Sequence, residues 1–270
     1  MIIAGYIASA LIGLSLGLIG GGGSILTVPV LVYLFHQDAV LSTSYSLFIV
    51  GVTSLVGALP KFRDSLVDLR TAIVFGVPSI VAVYLTRMFI VPAIPEVVWS
   101  SAGIELTKPL FFLLLFAVLM VAASVSMIRE KKVSRTTADA AEDEKRIFNY
   151  PVIVIEGGVV GVLTGLVGAG GGFLIIPALV ILSKLPMKMA VGTSLLIIAG
   201  KSLFGFLGDY GKYPVDWVLL STVTAVAVAG IFIGNTLSRK IDGAKLKKGF
   251  GWFVLVTGVY IILAETLLKN

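Results

Sequence analysis

Gly17-Leu18-Ile19-Gly20-Gly21-Gly22-Gly23 and Gly165-Leu166-Val167-Gly168-Ala169-Gly170-Gly171 are nearly the same phrase, 148 positions apart. A proline follows each at the same distance, Pro29 and Pro177. Each phrase lies inside an apolar run of more than 30 residues, 2–35 and 150–182. Such a run is too long for one upright span, because 34 helical residues would reach ~51 Å against a hydrocarbon core of about 30 Å. It is too short for two full spans, which need about 40 residues and a turn. Two half-depth arms around a glycine break fit, so the spacing predicts a re-entrant hairpin in each run.

The match extends beyond the glycines. Between 13–69 and 161–217, 20 of 57 positions are identical without a gap. Ser46-Leu47 aligns with Ser194-Leu195, Ser54-Leu55 with Ser202-Leu203, Gly57 with Gly205, and Val67-Asp68 with Val215-Asp216. Apolar bias alone does not place Pro, Ser and Asp in register. Six other runs have ordinary spanning length: 40–59, 69–91, 108–128, 188–207, 214–238 and 249–268. The reading is an all-α polytopic membrane protein of two repeats, 1–128 and 150–270, joined by a charged cytoplasmic linker, 129–149. Each repeat holds one hairpin and three crossings. Three is odd, so the halves insert with opposite orientation, a recurring transporter plan with broken helices near the midplane.

Composition agrees. The chain has 270 residues, 57% hydrophobic and 13% charged, with a mean hydropathy of +1.05. A soluble domain carries about 25% charged residues, so a soluble globule and a disordered chain are both excluded. The net charge of +6 comes from short basic loops rather than one basic face, which argues against nucleic-acid binding. Zero Cys excludes disulfides, thiolate chemistry and Cys-held metal, and a single His makes a His-based site improbable, so no metal or cofactor is expected. The run from Ile2 has no basic leader or small-residue cleavage site and is read as part of the mature fold.

Loop charge tests the hairpins, because cytoplasmic loops collect Lys and Arg. With both long runs folding back, 16 basic residues lie inside (61–70, 129–146, 184–188, 239–248) and four outside (Arg87, Lys108, Lys212, Lys269). With all eight runs crossing, the split is a near-even 11 to 9. The hairpin topology is the asymmetric one.

The candidate site follows from the breaks. Poly-glycine lets the backbone unwind and approach a ligand. A helix restarting at Ser24 or Phe173 would present free N–H groups that attract anions at membrane depth. Close helix packing by small residues is the alternative role. In the next run, Ser194, Lys201 and Gly205 share a helix face, as do Ser46, Thr53 and Gly57 in the first half. Thr193, Ser202, Ser44 and Ser54 are neighbours. Lys201 stands close to the midplane, where a Lys costs about 2.5–3.5 kcal/mol and usually faces a cavity or partner. No acidic residue lies within a turn of it, so a substrate anion is a plausible partner, with a remote carboxylate or snorkelling as the alternatives. Asp68 and Asp216 begin helices and read as caps. Arg87, near an outer helix end, reads as snorkelling, His36 as a solvated loop residue, and Glu156 as interfacial or titrating.

These motifs carry a resemblance. Gly-x-x-Gly-x-Gly-Gly followed by Val-Pro or Ile-Pro (17–29 and 165–177), then Gly192-Thr193-Ser194-Leu195, resembles the sulfite exporter TauE/SafE family of membrane permeases across essentially the whole chain. The resemblance implies transport, usually export, of sulfite, sulfoacetate or another organosulfonate across a prokaryotic inner membrane. Ser44-Tyr45-Ser46-Leu47 departs from the second-half version, so the two half-sites are unequal. The substrate-binding set is then Gly22, Gly23, Ser24, Ser46, Thr53, Gly170, Gly171, Gly172, Thr193, Ser194, Lys201 and Ser202. The substrate would be a small sulfur-containing anion, with a proton gradient as the default drive. A transporter or channel for another anion (carboxylate or phosphate-like) and a scaffold without transport are the rivals. An intramembrane enzyme is disfavoured because Ser194 and Lys201 stand about 10 Å apart along the helix. The topology places 184–188 in the cytoplasm; a cysteine at Lys188 should label in inside-out vesicles, and labelling only from outside would refute it.

Overall fold

A computed structural model describes residues 2–101, 104–129, 150–168, 172–181, 185–238 and 243–267. The linker expected at 129–149, apart from Arg129, the candidates Gly170 and Gly171, and the end of the second hairpin at 182 lie outside the described residues. Helix α1, Ile2–Ile19, runs up to Gly20, whose φ of +74° ends it. The chain then returns through a 3-10 turn (Gly20–Leu26), a short α2 (Thr27–Pro29) and a π-helical turn (Val30–Leu34). Gly23 lies against Ser15 and Leu16, and Gly5 against Phe35, so the return arm folds back along α1 to its starting end. The second hairpin repeats this: α7, Tyr150–Val167, stops at Gly168 with φ +71°, and α8, Gly172–Ile181, follows. A side chain at a positive φ is strained, which is why glycine stands at both breaks. The first arms are longer than expected. Eighteen residues each give ~27 Å of helix, well beyond half depth, because nothing before Gly20 or Gly168 interrupts the hydrogen-bond ladder.

Between the hairpins lie α3 (Ala39–Arg63), α4 (Leu69–Leu85) continuing through a π-helical turn at Thr86–Ile90 into α5 (Val91–Ala93), and α6 (Lys108–Arg129). After the second come α9 (Met187–Asp209), α10 (Trp217–Ser238) and α11 (Gly243–Leu267). Among the described residues, five helices are long and apolar enough to cross a membrane: Ala39–Arg63, Leu69–Ala93, Tyr150–Val167, Lys188–Asp209 and Trp217–Ser238. The fold is helical, as the hydropathy predicts, with one departure. Outside the apolar runs, Val97–Ser101 (β1) and Ile104–Thr107 (β2) form a two-stranded antiparallel ribbon, in a stretch for which the hydropathy names no element. Pro95 forces Ile94 out of the helical region, to ψ 121°. The Val97-Val98-Trp99 run then favours extended backbone.

The packing is crossed between the halves. Gly13 lies against Ala227, and Gly17 against Ile231 and Asn235, so α1 runs parallel to α10. Gly157, Gly161 and Gly165 lie against Phe75, Ser79 and Thr86, so α7 runs parallel to α4. At the centre α3 and α9 are antiparallel, with Leu47 against Gly205 and Leu195 against Gly57. Several of these contacts come in pairs displaced by 148: Gly13–Ala227 with Gly161–Ser79, and Gly57–Leu195 with Gly205–Leu47. The helix caps are crossed too. Asp68 Oδ1 accepts from Thr71 N (2.9 Å) while Asp68 N donates to Thr193 Oγ1 (2.8 Å). Asp216 Oδ1 accepts from Val218 N and Leu219 N (3.0 Å each), while Asp216 N donates to Tyr45 Oη. Both aspartates are therefore caps, as the sequence suggests, and their turns are tied to the other half's central helix.

The tightest contact joins the two breaks. A Cβ on Gly21 would stand 2.3 Å from Gly172 Cα, and one on Gly172 would stand 2.1 Å from Gly21 Cα. Both breaks lie beside the middle of α9, since Gly21 also meets Ile198. No rotamer change relieves a backbone clash. Gly21→Ala or Gly172→Ala should lower the detergent melting temperature by several degrees or abolish a monodisperse elution peak. Gly158→Ala, with open space around it, should leave both unchanged in the same chromatography and melting assay.

Candidate anion site at the glycine breaks

Helix α9 carries the chemistry because it runs past both breaks. Gly20 packs on Val191 and approaches Ser194 Oγ, Gly21 packs on Ile198, and Lys201 stands one turn further on. Lys201 is fully buried. Its Nζ donates to Thr164 Oγ1 at 3.0 Å, and among the described residues no carboxylate pairs with it. An ammonium can donate three hydrogen bonds, and in an apolar interior one hydroxyl is a poor counter-charge. Thr164 belongs to α7, one turn before the second break, and its carbonyl accepts from Gly168 N at 2.9 Å.

The hydroxyl candidates divide in two. Ser46, Thr53 and Ser202 are fully buried and find no hydrogen-bond partner among the described residues. The others are engaged: Ser194 Oγ donates to Val191 O (2.8 Å), Ser24 Oγ to Gly21 O (2.8 Å), and Thr193 Oγ1 accepts from Asp68 N. Gly23 is held against the first arm and Gly172 against Gly21, so both perform the close packing that small residues allow. Gly22 follows Gly21 within the 3-10 turn. Gly20, Gly21, Gly172, Ser194 and Lys201 are thus gathered around the middle of α9. Thr193 is instead turned to the end of the bundle where α4 begins.

Sequence reasoning misread Arg87 and did not find its partners Asp209 and Thr43. Arg87 does not snorkel. It is completely buried, and its Nη1 donates to Asp209 Oδ2 (3.0 Å) and Thr43 Oγ1 (2.9 Å). The reason is the π-helical turn at Thr86–Ile90, which faces α9 where Gly208 leaves room against Arg87. Thr43 in turn packs on Gly168. A charged residue within an apolar run was the available signal for Arg87; nothing in the sequence pairs it with Asp209, 122 positions away. Beyond α9, Lys212 Nζ caps the carbonyls of Arg87 and Met88 (2.8 and 3.0 Å). Burial holds the Lys212 ammonium below its ordinary range, against the opposing pull of Asp209. Burial, with Asp209 adding to it, raises the Tyr213 phenol. A groove of about 340 Å³ lined by Val56, Leu59, Pro60, Arg63, Asp64 and Phe232 shares no residue with this cluster.

The family model for the sulfite exporter TauE/SafE matches residues 6–261. A probable membrane transporter protein of Xylella fastidiosa (strain Temecula1) is 28% identical over 260 residues, covering 94% of this chain and 92% of the relative. The probable membrane transporter protein YunE of Bacillus subtilis is 29% identical over 239 residues, covering 83% and 84%. MJ0441 of Methanocaldococcus jannaschii, also named a probable membrane transporter protein, is 33% identical over 117 residues, covering 41% and 44%. No solved structure matches the chain significantly. A helical bundle with five apolar spans, crossed hairpins and a family match over nearly its whole length leaves one assignment: the chain is a multi-pass membrane transporter, not an enzyme, and belongs to the sulfite exporter TauE/SafE family.

Proposed function

We propose that this transporter carries a small sulfur-containing anion, such as sulfite, sulfoacetate or another organosulfonate, and exports it by alternating access across a prokaryotic inner membrane. The observation that carries the anion is Lys201, buried beside the glycine breaks with a hydroxyl for company and, among the described residues, no carboxylate paired with it. The family's name supports sulfur and export. The bacterial and archaeal relatives support the setting.

The anion binds beside the touching breaks, where α9 passes them. Lys201 supplies the counter-charge, while the unpartnered hydroxyls of Ser46, Thr53 and Ser202 supply neutral donors. Backbone N–H groups at Gly22–Ser24, once released from the 3-10 turn, and at Gly170–Gly172 would complete the shell. Thr193, which accepts from Asp68 N, keeps its own proton to donate, and Ser194 contributes only by releasing Val191 O. A sulfonate presents three acceptor oxygens and one charge, which this mixture of donors suits. The halves form an inverted pair: residue pairs displaced by 148 and the antiparallel α3 and α9 support a pseudo-two-fold through the breaks. Rocking one half against the other would expose the site alternately.

Thermal shift with sulfite, sulfoacetate, taurine, sulfate, phosphate and acetate tests the reading. A bound anion at 100 times its Kd stabilises the folded state by about 2.7 kcal/mol. A sulfur anion should raise the melting temperature of the wild type, and Lys201→Ala should abolish the shift. Selective stabilisation by phosphate or acetate would favour the other-anion reading, and no response to any member would remove the anion altogether.

A further inference from the structure

The repeat relates the two ends of the central helix pair, α3 and α9, and the residues that join each end differ in charge. Where α9 finishes, Arg87 is fully buried, and its Nη1 donates to Asp209 Oδ2 on α9 (3.0 Å) and to Thr43 Oγ1 on α3 (2.9 Å). Lys212 Nζ, at the rim, donates to the carbonyls of Arg87 and Met88. The positions 148 away from Arg87, Asp209, Thr43 and Lys212 are Asn235, Lys61, Val191 and Asp64. The contacts keep that register, since Gly165 packs on Thr86 and Gly17 on Gly234. Asn235 is neutral, so its place holds no counterpart of the Arg87–Asp209 ion pair. The polar contacts between α3 and α10 at that end are long: Asn235 Nδ2 to Gly57 O (3.5 Å) and Lys61 Nζ to Ser238 Oγ (3.4 Å). A groove of about 340 Å³ opens between the same two helices, with Pro60 and Phe232 in its wall. Their mates, Gly208 and Tyr84, are shut together: a Cβ on Gly208 would stand 3.1 Å from Tyr84 O and 2.9 Å from Arg87 Cβ. The other ties between the halves do not restore the balance. Asp68 N to Thr193 Oγ1 has its own mate, Asp216 N to Tyr45 Oη, and the contact of Arg70 with Tyr150 is exposed, where such contacts hold little.

Ser46, Thr53, Lys201 and Ser202 are all fully buried, so an anion enters or leaves only when one end parts. Parting Arg87 from Asp209 separates buried charges, which is costly. Parting Asn235 from Gly57 separates neutral groups already at the limit of a hydrogen bond. Resting on the alternating access of the preceding section, we propose that the Arg87–Asp209 pair is the gate at the end where α9 finishes, and that it biases the empty transporter to open at the opposite end, where α3 finishes. Both side chains stay ionised throughout. Counting Lys212, the closed gate carries one net positive charge. Lys212, whose backbone N donates to Asp209 O (3.0 Å), is the cation left beside the carboxylate when Arg87 swings away. The loop-charge topology puts the unlatched end in the cytoplasm, the side from which an exporter loads. Arg87 Nε and Nη2, buried without a hydrogen-bond partner among the described residues, are donors that an outgoing anion meets as the gate parts. The cargo then offsets the lost pair, because a ligand shifts an equilibrium toward the state it binds better.

The chain has no cysteine, so a single introduced cysteine can report each end. Leu47 and Leu195 are mates, both fully buried, and each packs one turn inside its end, Leu47 on Gly205 and Leu195 on Gly57. Full-length protein in detergent, without added anion, is treated with a small water-soluble methanethiosulfonate. Leu195→Cys should react about tenfold faster than Leu47→Cys, as a biased two-state equilibrium requires. Adding Asp209→Asn should speed Leu47→Cys about tenfold and leave Leu195→Cys no faster. Arg87→Lys, which keeps an ion pair, should leave both rates close to those of the intact gate. Leu47→Cys reacting as fast as Leu195→Cys with the gate intact, or a Leu47→Cys rate unmoved by Asp209→Asn, overturns the gate, while reaction at either cysteine preserves alternating access. Speeding of both cysteines by Asp209→Asn marks a loosened fold and also overturns the gate. The first comparison leaves the gate residues untouched, so it decides the matter if Asp209→Asn does not fold. Reaction at neither cysteine in any folded variant overturns alternating access as well.

Discussion

The structure hangs on a contact between two pieces of backbone. Gly21 and Gly172 meet so closely that neither has space for a single carbon. That contact requires both hairpins to break, because a continuous helix would keep its side chains between the two axes. Irregular backbone at membrane depth is tolerated only inside protein or along a cavity, and here each break shelters the other. The small residues of the first arms serve the same end: Gly13 and Gly17 let α1 lie on α10, and Gly157, Gly161 and Gly165 let α7 lie on α4. Without a hydrophobic drive between helices in lipid, close approach of this kind is what holds a bundle together.

The consequence for chemistry is a polar interior in an apolar setting. Helices α3 and α9 bring fully buried Ser46, Thr53, Ser54 and Ser202 to the centre with hydroxyls that no described residue engages. Structure alone would not choose such residues, since buried polar groups are normally paired. Lys201 and the half-satisfied Arg87–Asp209 pair are stronger instances of the same departure. Positions where local rules are broken without local compensation are where function is expected.

Much of this was legible in the sequence because it depends on period and register. The overlong runs, the glycine breaks and the capping aspartates each follow from spacing or from a single residue's backbone preference. The depth of Lys201 follows from counting along an apolar run. What was not legible depends on contacts between distant segments. Thr164 as the Lys201 partner, Asp209 as the Arg87 partner and Tyr45 as the acceptor from Asp216 are all crossings between helices that no local pattern encodes. Arg87 was misread because hydropathy gives a residue's position along a helix and not the direction it faces. The first arms exceed half depth because Gly20 and Gly168, close to the middle of each overlong run, leave an unbroken 18-residue helix before the break. The ribbon at 97–107 escaped because a short extended stretch between long apolar helices carries little periodic signal.

The crossed arrangement also has a cost in time. The main partner of α1 is α10, which lies some two hundred residues later in the chain. At about 5–20 residues per second, the first hairpin exists for tens of seconds before the helix that covers it has been synthesised. Throughout that wait its glycine break, its buried serines Ser9 and Ser15 and the groove along Gly13 and Gly17 face lipid, insertion machinery or water. The second hairpin has no such delay, because α4 is already in place when α7 emerges. Two hairpins built from the same phrase therefore begin life in different surroundings, and the vulnerable period of this protein's biogenesis belongs to the first.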